Sequence, residues 1–372
     1  MLFKLVSIAS ISLSTFALPL TISARPVLIA QTNKLELNNL LLVGKQYVEA
    51  RDYDKALETY QKAADLDREN PQILSGIGYV QTLREDYSGA IEAYERAIAL
   101  EPDNSRLHYA LGFSFGKLGK NAEAVEAYQK AIALEPNSVR NHSGLGVVLI
   151  RAEEYDRAVE TYKNIIALDP KNQQAYKIAA QILLLQQRYP EAIAFLQIAV
   201  EQQPRDSNLR LQLAKALLDV GDTEAGLQIL EIAKRNASQN HAVYLQIGDI
   251  LFQQGELNEA LAEYRWAARL KPNVPSAIVG MGKVYFAQKN YSRAILSFRK
   301  SVELAPENPQ GHYSLGLALL ARNRDDEAIA ALERALEIYK SNNNKDKADE
   351  VATLIEEIDG GETDEDEIDE DE

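Results

Sequence analysis

The sequence predicts an all-α solenoid, a single array of helix-turn-helix repeats. Three observations predict it. The segments AIALEPDN, AIALEPNS, IIALDPKN and SVELAPEN recur in register, with a strict period of 34 residues. Within that period two fixed positions carry small residues almost throughout. A third position is proline in six of the nine periods. A period of this length marks units that cannot bury their apolar faces alone and therefore stack on one another.

The chain opens with a targeting pattern. Lys4 supplies a short positive region, Leu5 to Leu20 is apolar and uncharged, and small residues follow. The stretch is short for a membrane span, so residues 1–30 read as a signal peptide cleaved after Ala24 or Ala30. The expected address is extracytoplasmic, the periplasm, or the thylakoid lumen in a cyanobacterium. The ending LIAQ resembles that of exported cyanobacterial proteins. The chain has no cysteine, which excludes disulfides, thiolate metal sites, a cysteine nucleophile and a lipid-anchored lipoprotein. Membrane association is expected only through a partner.

Nine repeats follow without insertion, at 37–70, 71–104, 105–138, 139–172, 173–206, 207–240, 241–274, 275–308 and 309–342. Their eighth position is glycine or alanine (Gly44, Gly78, Gly112, Gly146, Ala180, Ala214, Gly248, Gly282, Gly316). Their twentieth is alanine except at Gly226. Two helices approach closely only where facing side chains are small, and these positions allow it. The twenty-fourth position is aromatic in six repeats (Tyr60, Tyr94, Tyr128, Tyr162, Tyr264, Phe298) and fills the space beside them. Proline at the thirty-second, as in Pro102 and Pro136, disfavours helix at the residue before it and ends the second helix. Gly119, Gly221, Gly255 and Asn323 fit the turn inside a repeat. Repeats five and six depart most, with Leu196 and Leu230 at the aromatic position, and a local change of superhelical pitch is expected there.

Behind the array, 345–358 reads as a capping helix with Ala348, Val351, Leu354, Ile355 and Ile358 on one face. Residues 359–372 hold ten acidic residues and no basic one, and read as a disordered tail. Net charge is −15, but without the tail 45 acidic residues face 40 basic ones. A generic nucleic-acid surface is therefore not expected. No cofactor is expected beyond weak divalent-cation binding by the tail or groove.

The small residues at eight, twenty and twenty-seven, the aromatic at twenty-four and the proline at thirty-two identify the array as resembling the tetratricopeptide-repeat (TPR) family. That resemblance implies a right-handed superhelix whose first helices line a concave peptide-binding groove. Residues two, five, nine, twelve and thirteen of each repeat would point into it. In repeats three to six those positions include Arg106, Tyr109, Phe113, Lys117, Arg140, Arg151, Lys177, Gln181 and Lys215. In repeats seven to nine they give a more apolar wall, with Phe252, Phe286 and Tyr313. A basic half and an apolar half suit a protein or peptide client that is acidic or ends in a carboxylate. The carboxylate clamp of chaperone-binding TPR domains is broken: after Lys177 and Gln181 the next clamp positions hold Gln212, Ala242 and Gln246.

No nucleophile elbow, phosphate loop, zinc-protease or dinucleotide motif is present, so no enzyme is predicted. His108, His142 and His312 all occupy the fourth position of a repeat, where other repeats place Leu, Tyr or Ile, and so read as packing residues. Trp266, on a second helix, also reads as packing. The expected function is an extracytoplasmic scaffold assisting assembly or maturation of a client. The alternative is a component of cell-envelope assembly or secretion machinery. Nine repeats behind an export signal resemble the periplasmic TPR factors for photosystem II biogenesis.

Overall fold

The computed structural model describes residues 24–366, with side chains for 34–359. Nineteen α-helices and no strand are found among the described residues. The chain divides into two compact units, Met1–Asn164 and Ile165–Glu372. The first holds α1 (Ala24–Glu49), α2 (Tyr53–Leu66), α3 (Pro71–Leu83), α4 (Tyr87–Leu100), α5 (Ser105–Lys117), α6 (Asn121–Leu134), α7 (Val139–Arg151) and the start of α8 (Tyr155–Leu168). The second continues with α9 (Gln173–Leu185), α10 (Tyr189–Gln202), α11 (Ser207–Asp219), α12 (Thr223–Asn236), α13 (His241–Gln253) and α14 (Leu257–Leu270). It ends with α15 (Pro275–Ala287), α16 (Tyr291–Leu304), α17 (Pro309–Leu320), α18 (Asp325–Ser341) and α19 (Lys345–Asp366).

Odd-numbered helices from α3 to α17 begin at the repeat starts read from the sequence. The residue just before most of them is an N-cap. Asn104 Oδ1 accepts from the Arg106 N–H and Ser138 Oγ from the Asn141 N–H, satisfying helix-end donors that have no partner within the helix. The first helix differs from expectation at its start. It begins at Ala24, ahead of Leu37, so the candidate cleavage point after Ala30 falls inside α1. Residues 1–23 of the expected signal lie outside the described residues.

The turn inside every repeat is one recurring device. Residue fifteen is left-handed in all nine repeats, from Arg51 at φ 61° to Asn323 at φ 52°. The following N–H reaches back to close the helix end, as from Glu154 to the Leu149 carbonyl at 2.9 Å. Only Gly119, Gly221 and Gly255 meet this turn without steric cost.

Packing follows the small-against-large pattern. A Cβ added at Gly112 would lie 3.1 Å from the Tyr128 ring, and one at Gly144 only 2.4 Å from the same ring. Tyr264 is likewise held between Gly248 and Gly280. Repeats five and six keep the sum by changing both partners, pairing Ala180 with Leu196 and Ala214 with Leu230, all buried. Their departure from the pattern is therefore compensated within the core.

At the end of the second unit, Ala348 and Val351 are buried against Leu332, Ala335 and Tyr339, with Leu354, Ile355 and Ile358 packed beside them. The helix does not stop at Ile358: it runs through Gly360 and Gly361 to Asp366. This corrects the expectation of disorder from Asp359 onward. Extending an existing helix needs no new nucleus, and two glycines cost about 1 kcal/mol each without forbidding the conformation. Residues 367–372 of the acidic tail lie outside the described residues.

Candidate functional site

In each unit the first helices of neighbouring repeats touch one another, α3–α5–α7 in the first and α11–α13–α15–α17 in the second. Within each unit they make one face, and the expected site residues divide between separate depressions.

The first depression lies between α5 and α7 and has a volume of about 260 Å³. Tyr109, Phe113 and Lys117 come from successive turns of α5, and Arg140, Val147 and Arg151 from α7. Its floor is Tyr128, which meets Tyr109 edge to face at 5.5 Å, and Gly144, whose missing side chain leaves room for that ring. Burial, then the neighbouring Tyr109, push the Tyr128 phenol upward, so it stays neutral. The cations are preorganised. The Arg140 guanidinium lies 4.4 Å from the Tyr109 ring centroid, and Lys117 Nζ lies 5.5 Å from that of Phe113. Arg151 donates from one nitrogen to the Gly116 carbonyl at 3.0 Å. Three cations therefore line a half-open apolar hollow, and no carboxylate is among its lining residues.

Arg106 does not join them. It lines a different depression with Glu101, Asp103 and Glu135, whose carboxylates offset its charge. Arg140, at the equivalent position of the next repeat, lies instead over Tyr109.

Lys177 also departs from expectation. Its ammonium lies 3.0 Å from Asp206 Oδ2, with both side chains about three-quarters buried. Asp206 caps α11 through the Asn208 and Leu209 N–H groups, so Lys177 ties α9 to that cap and is not a free groove cation. Burial raises the Asp206 carboxyl, but the hydrogen bonds from Lys177 and from the Leu209 backbone outweigh it and hold it below its ordinary value. Gln181 is exposed on α9. Lys215 lines a depression of about 360 Å³ between α11 and α13 together with Asp249, Gln212 and Gln246, so that surface is polar and not basic.

Phe252 and Phe286 line one hollow of about 180 Å³ with Leu317 and the Phe298 ring. Lys283, at the ninth position of its repeat, stands in the same hollow and was not singled out from sequence. Tyr313 is taken up elsewhere: its hydroxyl donates to Glu350 of α19 at 3.0 Å, and its ring packs on the capping helix. The cap thus occupies a residue that an uncapped repeat would present.

The histidines have a common task. Nε2 of His108, His142 and His312 lies 2.8, 2.9 and 2.9 Å from the carbonyl oxygens of Pro102, Pro136 and Pro306. A carbonyl only accepts, so each ring carries its proton on Nε2. Tyr244, at the equivalent position, donates to the Ser238 carbonyl at 3.3 Å. Trp266, expected to pack, is 46% exposed, touching Tyr244 on one side and carrying Arg269 over its ring. Among the described residues no cluster of three or more potential metal ligands is found, and no helix is long and apolar enough to cross a membrane.

A tetratricopeptide-repeat model described as the cilia and flagella-associated protein 70 C-terminal domain matches residues 70–278, more than half of the chain. Models described as tetratricopeptide repeat and TPR repeat match residues 279–343 and 44–83. The chain belongs to the tetratricopeptide-repeat family. No curated protein sequence matches it. Among solved structures, MamA is similar at 24% identity, over 45% of this chain and 97% of that one, with a TM-score of 0.42. Yeast Tom70 is similar at 16% identity, over 88% and 96%, with a TM-score of 0.47. YrrB, described as a TPR protein with an unusual peptide-binding site, is similar at 23% identity, over 54% and 99%, with a TM-score of 0.39. A TPR array is consistent with a protein-interaction scaffold, and such scaffolds are generally non-enzymatic.

Proposed function

We propose that this TPR protein is a non-enzymatic extracytoplasmic scaffold that holds a client segment between α5 and α7. The client segment is acidic or ends in a free carboxylate, and carries an apolar or aromatic side chain beside it. One observation carries the reading: Lys117, Arg140 and Arg151 converge on a hollow walled by Tyr109, Phe113 and Val147, with no acid in its lining. Charge-assisted hydrogen bonds would fix the carboxylate and the rings would cover the stem. The pattern Lys4 followed by Leu5 to Leu20 supports the exported address, in the periplasm or a thylakoid lumen. Repeat number and that segment support a role in assembly or maturation, with photosystem II biogenesis as the specific pathway proposed.

The test uses a fluorescent peptide ending in Phe-Asp-Glu with a free carboxylate, and the same peptide amidated. Anisotropy should show at least fivefold weaker binding of the amide, and weakening of both as salt rises. Replacing Lys117 and Arg140 together by glutamate should cost at least tenfold with helicity unchanged. Equal binding by that variant would place the ligand elsewhere, the hollow of Phe252 and Phe286 being next. Capture from the exported fraction, with the same variant as control, identifies the client.

A further inference from the structure

The outer surface of the second helices changes character along the chain. In repeats one to four, position twenty-two is Glu58, Glu92, Glu126 and Glu160, and position twenty-six is Lys62, Arg96, Lys130 and Asn164. These are i,i+4 spacings on an exposed face, and the Glu58–Lys62 pair closes at 2.6 Å. In repeats five to seven the same two positions become Ala194 and Ile198, Gln228 and Ile232, Ala262 and Trp266. Position twenty-six returns to a cation at Lys300 and Arg334. The three apolar residues are not tucked into the core: Ile198, Ile232 and Trp266 are 38%, 40% and 46% exposed. Leu296, at position twenty-two of repeat eight, is 66% exposed on α16, at a different position from the stripe and outside it. Single exposed apolar residues need no explanation, but a run at equivalent positions of successive stacked repeats recurs on the same side of successive second helices.

The charges beside the stripe say what covers it. Position twenty-nine, one turn further along each helix, carries Glu201, Arg235 and Arg269. Arg235 is neutralised within α12 by Glu231 at 3.3 Å. Glu201 at one end of the stripe has no cation partner among the described residues, and Arg269 at the other end has no carboxylate, only the Trp266 ring. The stripe is therefore apolar along its length, with unmatched charges of opposite sign at its two ends. A surface so patterned is complementary to itself in reversed order. A two-fold axis running along α12 would set Ile198 against Trp266 of a second copy, Ile232 against its counterpart, and Glu201 against Arg269 twice.

We propose that this stripe is a self-association surface, on which a second copy of the chain docks through α10, α12 and α14 about a two-fold axis. Its residues are distinct from those of the client hollow between α5 and α7.

Sedimentation equilibrium of the full chain should show a reversible dimer with a dissociation constant on the order of 10 µM, as suits a small interface. Ile198→Lys, Ile232→Lys and Trp266→Lys together introduce the residue type that repeats one, three and eight already carry there, so folding is retained. This variant should dimerise at least tenfold more weakly at unchanged helicity. The cysteine-free background allows a direct test of register. A mixture of Ile198→Cys and Trp266→Cys chains should form a mixed disulfide faster than either variant alone forms its own. Glu201→Arg should weaken the dimer, and adding Arg269→Glu should restore it. Wild-type chain that stays monomeric tenfold above the stated concentration overturns the proposal, as does a triple-lysine variant that dimerises as well as wild type.

Discussion

Gly248→Ala sets two physical effects against each other. Alanine in a helix interior is ordinarily favoured over glycine by about 1 kcal/mol, so on propensity alone the change stabilises α13. The structure predicts the reverse. The new Cβ would sit 2.7 Å from Cε1 and 2.8 Å from Cδ1 of Tyr264, where an unstrained contact needs at least 3.4 Å. The ring cannot retreat cheaply. It is 1% exposed, its hydroxyl donates to Asp249 at 2.7 Å, and Gly280 holds its other side, with a Cβ there only 2.4 Å away. Overpacking of this kind costs about 1–3 kcal/mol, which exceeds the propensity gain and leaves a net loss of about 1 kcal/mol. The chain itself supplies the rescue. Gly248→Ala combined with Tyr264→Leu recreates the pairing of Ala214 with Leu230 one repeat earlier. The double variant should recover about 1–2 kcal/mol relative to the sum of the singles. Because repeat arrays need not unfold in one step, the assay is hydrogen exchange of α13, α14 and α15 amides alongside urea melts followed by circular dichroism. A Gly248→Ala chain that gains protection in α13 would refute the claim that the ring is locked between two glycines.

Three other outcomes follow from the same geometry. Glu85→Gly, Glu153→Gly and Lys289→Gly each relieve a left-handed residue with φ near 60°, and should raise stability by about 0.5–1 kcal/mol apiece in urea melts. Lys177→Ala should destabilise the α9–α11 contact by about 1 kcal/mol at neutral pH. Since Asp206 is held below its ordinary 3.8, the contribution is present above that value, and is lost as pH falls through the lowered one; melts of wild type and variant should converge in acid. His142→Leu removes the bond to the Pro136 carbonyl and should cost about 1 kcal/mol, whereas a histidine that merely fills space would be replaced without loss.

The repeat boundaries were legible because two local rules coincide at most of them: a proline that ends one helix and a capping side chain that starts the next. The turns were half legible. Sequence pointed to Gly119, Gly221, Gly255 and Asn323, yet Arg51, Glu85, Glu153, Gln187 and Lys289 adopt the same left-handed conformation. At those positions the stacked helices on either side dictate the turn, and the residue bears the strain. The C-terminal boundary at Ile358 was misplaced because composition argues about what a segment cannot bury, not about whether an existing helix will propagate through it.

The site was less legible than the fold, and the reason is specific. A groove position tells where a side chain points, but not what waits for it one repeat on. Lys177 was read as a free cation because its own repeat offers it no acid nearby. Its partner is residue thirty-four of the same repeat, the cap of the following helix, 29 residues away. Elsewhere that position holds Asn70, Asn104, Ser138, Asn172, Asn240, Val274, Asn308 and Asn342, none of them charged. Asp206 is the one acid there, so the signal was present in the sequence as a break in the capping pattern. The same reasoning separates the two kinds of groove cation. Where the cap is neutral, as at Asn172 at the end of the repeat that carries Arg140, no such ion pair forms, and Arg140 lies over the Tyr109 ring with its charge available. Where the cap is acidic, the charge is consumed in joining repeats. Asp206→Asn should therefore retain the cap of α11 while releasing Lys177 from its ion pair. If Lys177 is silent only because it is paired, that single change should raise the reactivity of its amine toward an acylating reagent, read by mass spectrometry. If Lys177 stays inert, its position rather than its partner withholds its charge.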